Sequence, residues 1–182
     1  MTKAFPLIAF STLIISSCTV NTDNFLETGN NEFSISVPKN LVQPIEIQEG
    51  SILNLIEDTS DYLNGLSVVV YDDSIYENFE TTTLYDYYNF VANNILDVTL
   101  EGGNLQTPKD TIINGYKSLL FTICGLYNRD SSNQNVCFYS GIFQGHKKYY
   151  EVTVWCSEIN KENYLPAINK ILGSFKEKER KK

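Results

Sequence analysis

The amino-acid sequence predicts an α+β fold in which a mainly antiparallel β-sheet is flanked by helices, as in an α/β/α sandwich. Three long apolar segments, 117–127, 136–144 and 148–156, follow one another through short polar connections, which is typical of an antiparallel meander. Two further segments, beginning near residues 83 and 161, carry apolar side chains on one helical face. Two such helices and a sheet that needs cover on both faces combine most economically as a sandwich; a helix on one side with loops on the other is the alternative.

The composition is that of one globular domain with a net negative charge. The 182 residues are 42% hydrophobic, and a chain of this length buries enough surface to fold without disulfides or metal ions. The formal net charge of −8 argues against nucleic acid as a partner, because nucleic-acid binding depends on basic side chains that neutralise phosphates. A single histidine leaves little scope for acid–base or metal chemistry, and no cofactor is predicted.

Residues 1–17 have the pattern of a secretory signal peptide. Lys3 precedes an apolar stretch, 4–15, that is too short for a membrane span of about 20 residues. The stretch leads into Ile15-Ser16-Ser17-Cys18, which resembles the bacterial lipobox with mild departures at its first and third positions. The lipobox implies that Cys18 becomes the new N-terminus and carries a diacylglycerol and an amide-linked acyl chain such as palmitate, which is enough for stable anchoring. An ordinary secretory signal followed by a chance cysteine is the alternative.

Polar residues connect this anchor to the domain. Residues 18–31 are rich in Asn and Thr and predict a flexible tether, and the domain is predicted to span 32–176. Thr19 stands where an acidic residue would change the sorting signal, so by resemblance to bacterial sorting rules we expect the outer membrane and a periplasmic location. The charged tail 177–182 is predicted to be a solvated end, and contact of this basic tail with anionic lipid or a partner is the alternative.

The N-terminal half of the domain predicts three short strands and one helix. Alternation of apolar and polar residues at 32–37 predicts a half-buried strand, and 51–57 and 66–71 predict two more. Residues 76–83 are predicted to be a loop, at the end of which Thr83 caps a helix. The apolar stripe of this helix comprises Leu84, Tyr88, Val91, Ala92, Ile95 and Leu96.

The C-terminal half contains the meander and a closing helix. A short strand at 111–113 leads into the meander through the turn Asn114-Gly115, and 128–135 is predicted to be an exposed loop. The closing helix is predicted over 161–172, with Gly173 as its stop.

The loop Gly145–Lys148 sets the register of the last hairpin. It places Tyr150 opposite Phe143, Val154 opposite Tyr139 and Cys156 opposite Cys137. A matching register in the preceding hairpin places Cys124 opposite Cys137 as well. The alternation of side chains then divides the meander into two apolar faces: Leu120, Tyr139, Phe143, Val152 and Val154 on one, and Leu119, Phe121, Ile123, Phe138, Ile142 and Trp155 on the other.

Several stretches resemble the PsbP-like (Mog-type) fold family, whose members include many bacterial lipoproteins. They are Phe33-Ser-Ile-Ser-Val-Pro-Lys-Asn40, Ile113-Asn-Gly-Tyr-Lys117, Tyr149-Tyr-Glu-Val-Thr-Val-Trp155 and the closing segment 164–176. The resemblance covers most of 32–176 and implies a sandwich of PsbP-like type. It also implies a protein-binding fold with no shared active site, so no ligand residues are carried over.

Three cysteines besides Cys18 fall in one predicted row across the meander: Cys124, Cys137 and Cys156. All three lie on an apolar face, where a buried thiol behaves as a small hydrophobic side chain, so free core cysteines are expected. The alternative is one bridge, either Cys124–Cys137 or Cys137–Cys156, which an oxidising periplasm would permit. A zinc or redox motif is not indicated, because the spacing lacks a CxxC pair.

The stretch 71–90 is unusually rich in tyrosine and phenylalanine among acidic residues and threonines. Tyrosine favours interfaces because its ring is apolar and its hydroxyl is polar. Part of this stretch belongs to the core, since Tyr88 lies on the apolar stripe of the predicted helix. Tyr85 and Tyr87 lie toward other faces of that helix and are the best candidates for a partner surface; burial in the core is the alternative.

The remaining polar candidates are interpreted as solvated. His146 is predicted to lie in an exposed hairpin loop with no nucleophile beside it. Acidic residues at 57–58, 61 and 72–73 do not follow the alternating pattern of a calcium loop.

These observations favour a non-enzymatic function. The first hypothesis is a membrane-anchored lipoprotein of the cell envelope that binds or scaffolds an envelope protein. The second is a periplasmic protein that binds a small ligand or metal ion between sheet and helix, and the third is a hydrolase with an unrecognised site. A deep pocket with convergent polar groups would favour the second, and an exposed aromatic patch would favour the first.

Overall fold

The structure of the protein is a computed structural model that describes residues 24–44, 49–57, 65–72, 82–129, 132–146 and 148–178. The predicted signal peptide and Cys18 lie outside the described residues. Within the described parts of the chain, no helix is both long and apolar enough to cross a membrane.

The described chain forms β-strands and two long helices in an order close to the predicted one. The elements are β1 (Phe25–Gly29), β2 (Phe33–Pro38), β3 (Leu41–Val42), β4 (Leu53–Glu57), β5 (Ser67–Asp72), α1 (Leu84–Thr99), β6 (Leu100–Leu105), β7 (Lys109–Ile113), β8 (Tyr116–Arg129), β9 (Ser132–Gln144), β10 (Tyr149–Ser157), α2 (Lys161–Ser174) and β11 (Lys176–Glu177).

The strands form one large and one small antiparallel sheet. The large sheet has the order β3-β4-β5-β10-β9-β8-β6, and β7 pairs with β8 on the same side as β6. The small sheet has the order β1-β2-β11. The fold class is therefore the predicted one, mainly antiparallel sheet flanked by helices.

The predicted register of the meander is confirmed. Tyr150 lies opposite Phe143 and Val154 opposite Tyr139, while Cys137 lies opposite both Cys156 and Cys124.

Both faces of the large sheet are buried, each under a different helix. Helix α1 packs with Leu119, Phe121, Ile123, Phe138, Ile142 and Trp155. Helix α2 and strand β2 pack on the other face with Phe143, Tyr150, Val152, Val154 and Cys156. These are the two faces that alternation predicts, and the sandwich arises because neither face can be left in water.

Helix α1 begins where the sequence predicts, through reciprocal hydrogen bonds at its first turn. The backbone N–H and the hydroxyl of Thr83 donate to Asp86 Oδ2 at 2.9 and 2.6 Å, and the Asp86 N–H donates to Thr83 Oγ1 at 3.2 Å. This arrangement is a capping box. The hydrogen bonds from Thr83 lower the pKa of the Asp86 carboxyl.

Four sequence predictions need correction. The tether prediction for 18–31 is wrong at β1, which pairs with β2 as an edge strand of the small sheet and has no fully buried residue. The loop predicted over 128–135 is also wrong, since β8 and β9 continue as a hairpin to Arg129 and Ser132. The charged tail begins later than predicted, because Glu177 belongs to β11. Gly173 does not end α2, which continues to Ser174.

Phe175 joins α2 to β11 and occupies the centre of the core between the two sheets. Its buried ring lies 4.4 Å from that of Phe143, 5.0 Å from that of Tyr150 and 6.1 Å from that of Phe33, measured between centroids. The Asn114 side-chain amide donates to the carbonyl oxygens of Gly173 and Phe175. These hydrogen bonds connect the end of α2 to the β7–β8 turn. The turn itself needs positive φ at Asn114 and Gly115, as the sequence Asn-Gly predicts.

We predict that Phe175→Ala lowers the free energy of unfolding by roughly 3–5 kcal/mol, because it leaves a cavity among three aromatic rings. Urea denaturation followed by circular dichroism measures this loss. Ile159→Ala is the matched control, since Ile159 is 91% exposed and its truncation is expected to cost less than about 0.5 kcal/mol. Equal losses in the two variants would contradict the assignment of Phe175 to the core.

Candidate functional site

Tyr85 lies in the first turn of α1 and is linked through its hydroxyl to strand β7. The side chain is 46% exposed, and its hydroxyl donates a 2.5 Å hydrogen bond to Asp110 Oδ2. Ile112, two residues further along β7 on the same face as Asp110, is 72% exposed. We call Tyr85, Asp110 and Ile112 the Tyr85 surface.

Two interactions hold the Tyr85 ring in place. Its edge packs on Tyr88 with centroids 6.3 Å apart, and Tyr88 in turn packs on Phe121 at 5.0 Å. The hydrogen bond to Asp110 is the main cause that raises the pKa of the Tyr85 hydroxyl. The ring is therefore exposed but ordered.

Tyr87 does not belong to an exposed surface, and its prediction as a partner residue is wrong. The residue is only 4% exposed, because its ring stacks on Tyr149 of β10 at a centroid distance of 5.2 Å. Tyr85, by contrast, is 46% exposed and contacts Asp110 of β7 through its hydroxyl. Phe90 is partly exposed, and residues 73–81 of the aromatic stretch lie outside the described residues.

The three cysteines of the predicted row have two different states. Cys124 and Cys137 form a disulfide with Cα atoms 4.1 Å apart, whereas Cys156 is a buried thiol. The expectation of free core cysteines is therefore wrong for the first two and correct for Cys156. The bridge matches the first of the two alternative pairings.

The polar residues considered in the sequence have structural contacts. His146 is exposed, and its backbone N–H donates to Glu177 Oε2 at 2.8 Å. Asp72 forms an ion pair with Lys148 at 2.7 Å, and Glu57 Oε2 accepts a 2.6 Å hydrogen bond from the Tyr164 hydroxyl. Positions 58, 61 and 73 lie outside the described residues. Among the described residues, no group of three His, Cys, Asp or Glu side chains is placed to hold a metal ion.

Glu151 is a polar residue that the sequence prediction missed, although a lone acid within the apolar run Tyr149–Trp155 is a visible signal. Its Oε1 accepts a 2.7 Å hydrogen bond from the hydroxyl of Thr153, which also lies 2.7 Å from the Ser140 hydroxyl. The carboxyl lies deep among neighbouring side chains although the residue keeps some exposed surface. Burial raises its pKa to about 7, and the hydrogen bond from Thr153 opposes this effect.

A shallow cleft of about 190 Å³ lies between the small sheet and the end of α2. Its lining includes Ser34, Ser36, Asn114 and Ser174. Ligand pockets usually measure roughly 300–1,000 Å³. The cleft is therefore smaller than a usual ligand pocket, and it gives little support to a small-ligand function.

We predict that the free energy of unfolding falls as the pH rises from about 4.5 to about 7. The folded protein holds the Glu151 proton up to about pH 7, whereas the unfolded chain releases it near the ordinary value of 4.5. Ionisation thus costs the folded state on the order of 3 kcal/mol at most. Glu151→Gln removes this contribution, so urea denaturation at several pH values should give a flatter profile for the variant.

Glu162→Gln is the control for this pH series, because Glu162 is an exposed carboxyl on α2. Its profile is expected to match that of the unchanged protein. An unchanged slope in Glu151→Gln would show that Glu151 is not the group that titrates.

Comparisons with known proteins identify the fold. No protein-family model and no characterised protein matches the chain by sequence. In structure it is similar to the Ran-binding protein Mog1p of Saccharomyces cerevisiae, with a TM-score of 0.59 and 11% identity over 84% of this chain and 95% of that one.

Two further solved structures extend this comparison. The cyanobacterial PsbP of Synechocystis (CyanoP) gives a TM-score of 0.54 and 14% identity over 90% of this chain and 98% of that one. LpqN of Mycobacterium tuberculosis is a protein involved in cell envelope biogenesis. It gives a TM-score of 0.53 and 12% identity over 85% of this chain and 92% of that one. The chain has the PsbP/Mog1 fold.

Proposed function

We propose that this protein is a non-catalytic binding module that a lipid on Cys18 holds at the bacterial cell envelope, where the Tyr85 surface binds a protein partner. The observation that carries the proposal is an exposed tyrosine ring, hydrogen-bonded through its hydroxyl to Asp110, on the strand face that also carries the exposed Ile112. Contiguous exposed apolar side chains on a soluble domain commonly mark interaction surfaces.

The Tyr85 surface has the chemistry of an interface centre. Tyr85 offers an apolar ring, and Ile112 offers an aliphatic side chain that is 72% exposed. Because Asp110 and Tyr88 already fix the Tyr85 ring, a partner would lose little conformational entropy by contacting it. Lys117 on β8, directly opposite Ile112 on β7, adds a positive charge at the border of the surface.

The fold supports a binding role. Mog1p is a Ran-binding protein, and LpqN is involved in cell envelope biogenesis. We extend from these proteins only the general character of a binding module and an envelope location. The partner we expect is an envelope protein, reached from the outer membrane on its periplasmic side.

The anchor would hold the domain close to the lipid surface. Strand β1 begins at Phe25, only seven residues after Cys18. A segment of seven residues reaches at most about 25 Å. The anchor would therefore keep the start of β1 within about 25 Å of the lipid surface.

We predict that the protein partitions with membranes and that Cys18→Ser abolishes this partitioning. Membrane fractionation of the expressing bacterium measures the distribution, and intact-mass spectrometry measures the acyl chains. A Cys18→Ser protein that stays with the membrane and carries the same added mass would contradict the anchor.

We predict that Tyr85→Ala and Ile112→Ala each weaken partner binding about tenfold or more, as truncation at an interface centre does. Cross-linking in living cells, followed by quantitative recovery of the cross-linked partner, compares the variants. Ile159→Ala is the control, because Ile159 is an exposed apolar residue outside the Tyr85 surface. Retained binding in both Tyr85 and Ile112 variants would contradict the proposed surface.

A further inference from the structure

Three cysteines lie directly opposite one another on three adjacent strands. Cys124 on β8 faces Cys137 on β9, and Cys137 also faces Cys156 on β10. Directly opposed residues project from the same face of an antiparallel sheet, so the three side chains form one line across the strands. Cys137 stands in the middle, bridged to Cys124 on one side and next to the Cys156 thiol on the other.

The hydrogen-bond pattern gives the spacing within this line. The Gly145 N–H donates to the Lys148 carbonyl oxygen, so these two residues form a hydrogen-bonded pair. Since hydrogen-bonded and non-hydrogen-bonded pairs alternate, Cys137 and Cys156 form a hydrogen-bonded pair, with Cα atoms about 5.5 Å apart. The backbone groups of Cys137 thus point toward β10, and its pairing with Cys124 is the closer, non-hydrogen-bonded kind, at 4.1 Å.

This spacing permits two bridges and excludes a third. A Cα separation of about 5.5 Å is a common one for disulfides. Cys124 and Cys156 are two strands apart, at about 10 Å, which is too far for a bridge. Both permitted bridges therefore share Cys137.

We propose that the three cysteines form a thiol–disulfide exchange site that moves the free thiol from the core to the protein surface. The Cys156 thiolate attacks Cys137 Sγ, the new Cys137–Cys156 bond forms as the Cys124–Cys137 bond breaks, and the Cys124 thiolate leaves and takes up a proton. The reaction consumes no oxidant or reductant. The arrangement suits it, because the attacking and leaving cysteines lie on the two strands that flank the strand of the central one.

Exchange replaces the buried thiol of Cys156 with a partly exposed thiol at Cys124. Cys137 and Cys156 are fully buried, whereas Cys124 is only partly buried. Helix α2 packs over β2, β9 and β10, and β8 lies beyond these strands. The product would therefore present at Cys124 a thiol that alkylating reagents and small disulfides can modify.

The environment of Cys156 controls the rate. Burial raises the pKa of its thiol to about 11, and the nearby Lys161 ammonium opposes this effect. The other titratable groups that face it are the phenols of Tyr139 and Tyr164. Since only the thiolate attacks, exchange is slow at neutral pH and accelerates about tenfold per pH unit toward pH 11.

Alkylation of the folded protein tests the exchange. In the full chain carrying Cys18→Ser, Cys124, Cys137 and Cys156 are the remaining cysteines. Trypsin places them in three different peptides, 118–129, 130–147 and 149–161. Incubation with N-ethylmaleimide at pH 7.5, 8.5 and 9.5 should label Cys124 progressively faster and leave Cys137 bridged to Cys156. Label on Cys156 alone, or no label on Cys124 at any pH, would overturn the proposal.

Variants at each end of the row provide the controls. Cys156→Ala should leave Cys124 unlabelled, because no internal thiol remains to displace it; equal labelling with and without Cys156 would overturn the exchange. After reduction and mild reoxidation with oxidised glutathione, Cys124→Ala should form the Cys137–Cys156 bridge, and Cys137→Ala should form none. A folded Cys124→Ala protein, checked by circular dichroism, that fails to bridge would also overturn the proposal.

Discussion

The rest of the structure depends on the antiparallel register of β8, β9 and β10. This register places apolar side chains on both faces of the central sheet, so both faces must be covered. A slip of one residue in one strand would move its side chains to the opposite faces and separate both aromatic clusters from their helices. Helix α1 covers one face, and helix α2 with strand β2 of the small sheet covers the other.

The two candidate sites arise where this packing is incomplete. On helix α1, Tyr85 keeps an exposed ring, whereas Tyr87 is buried against Tyr149 of β10. Helix α2 covers β9 and β10, and the disulfide at Cys124 lies toward the edge beyond it. The proposed binding surface and the Cys124 end of the proposed exchange site thus lie where side chains contact the core and are still partly exposed.

The sequence predicted what local patterns determine. Alternation and short hairpin turns are local, so the meander, its register and the row of cysteines could be predicted, as could the Thr83 cap. Strands β1 and β11 were missed because short edge strands with no fully buried residue show no apolar alternation of their own. Tyr87 was misplaced because its burial depends on a ring 62 positions away in the chain. Which cysteines bridge depends on the hydrogen-bonding phase of the strands as well as on their register.

Nuclear Overhauser contacts between Hα protons test the central register most directly. Hα protons approach closely only across non-hydrogen-bonded pairs of an antiparallel sheet. The register predicts strong Hα–Hα contacts between Cys124 and Cys137 and between Phe138 and Trp155, with none between Cys137 and Cys156. Contacts shifted by one residue, or a strong contact between Cys137 and Cys156, would contradict the account.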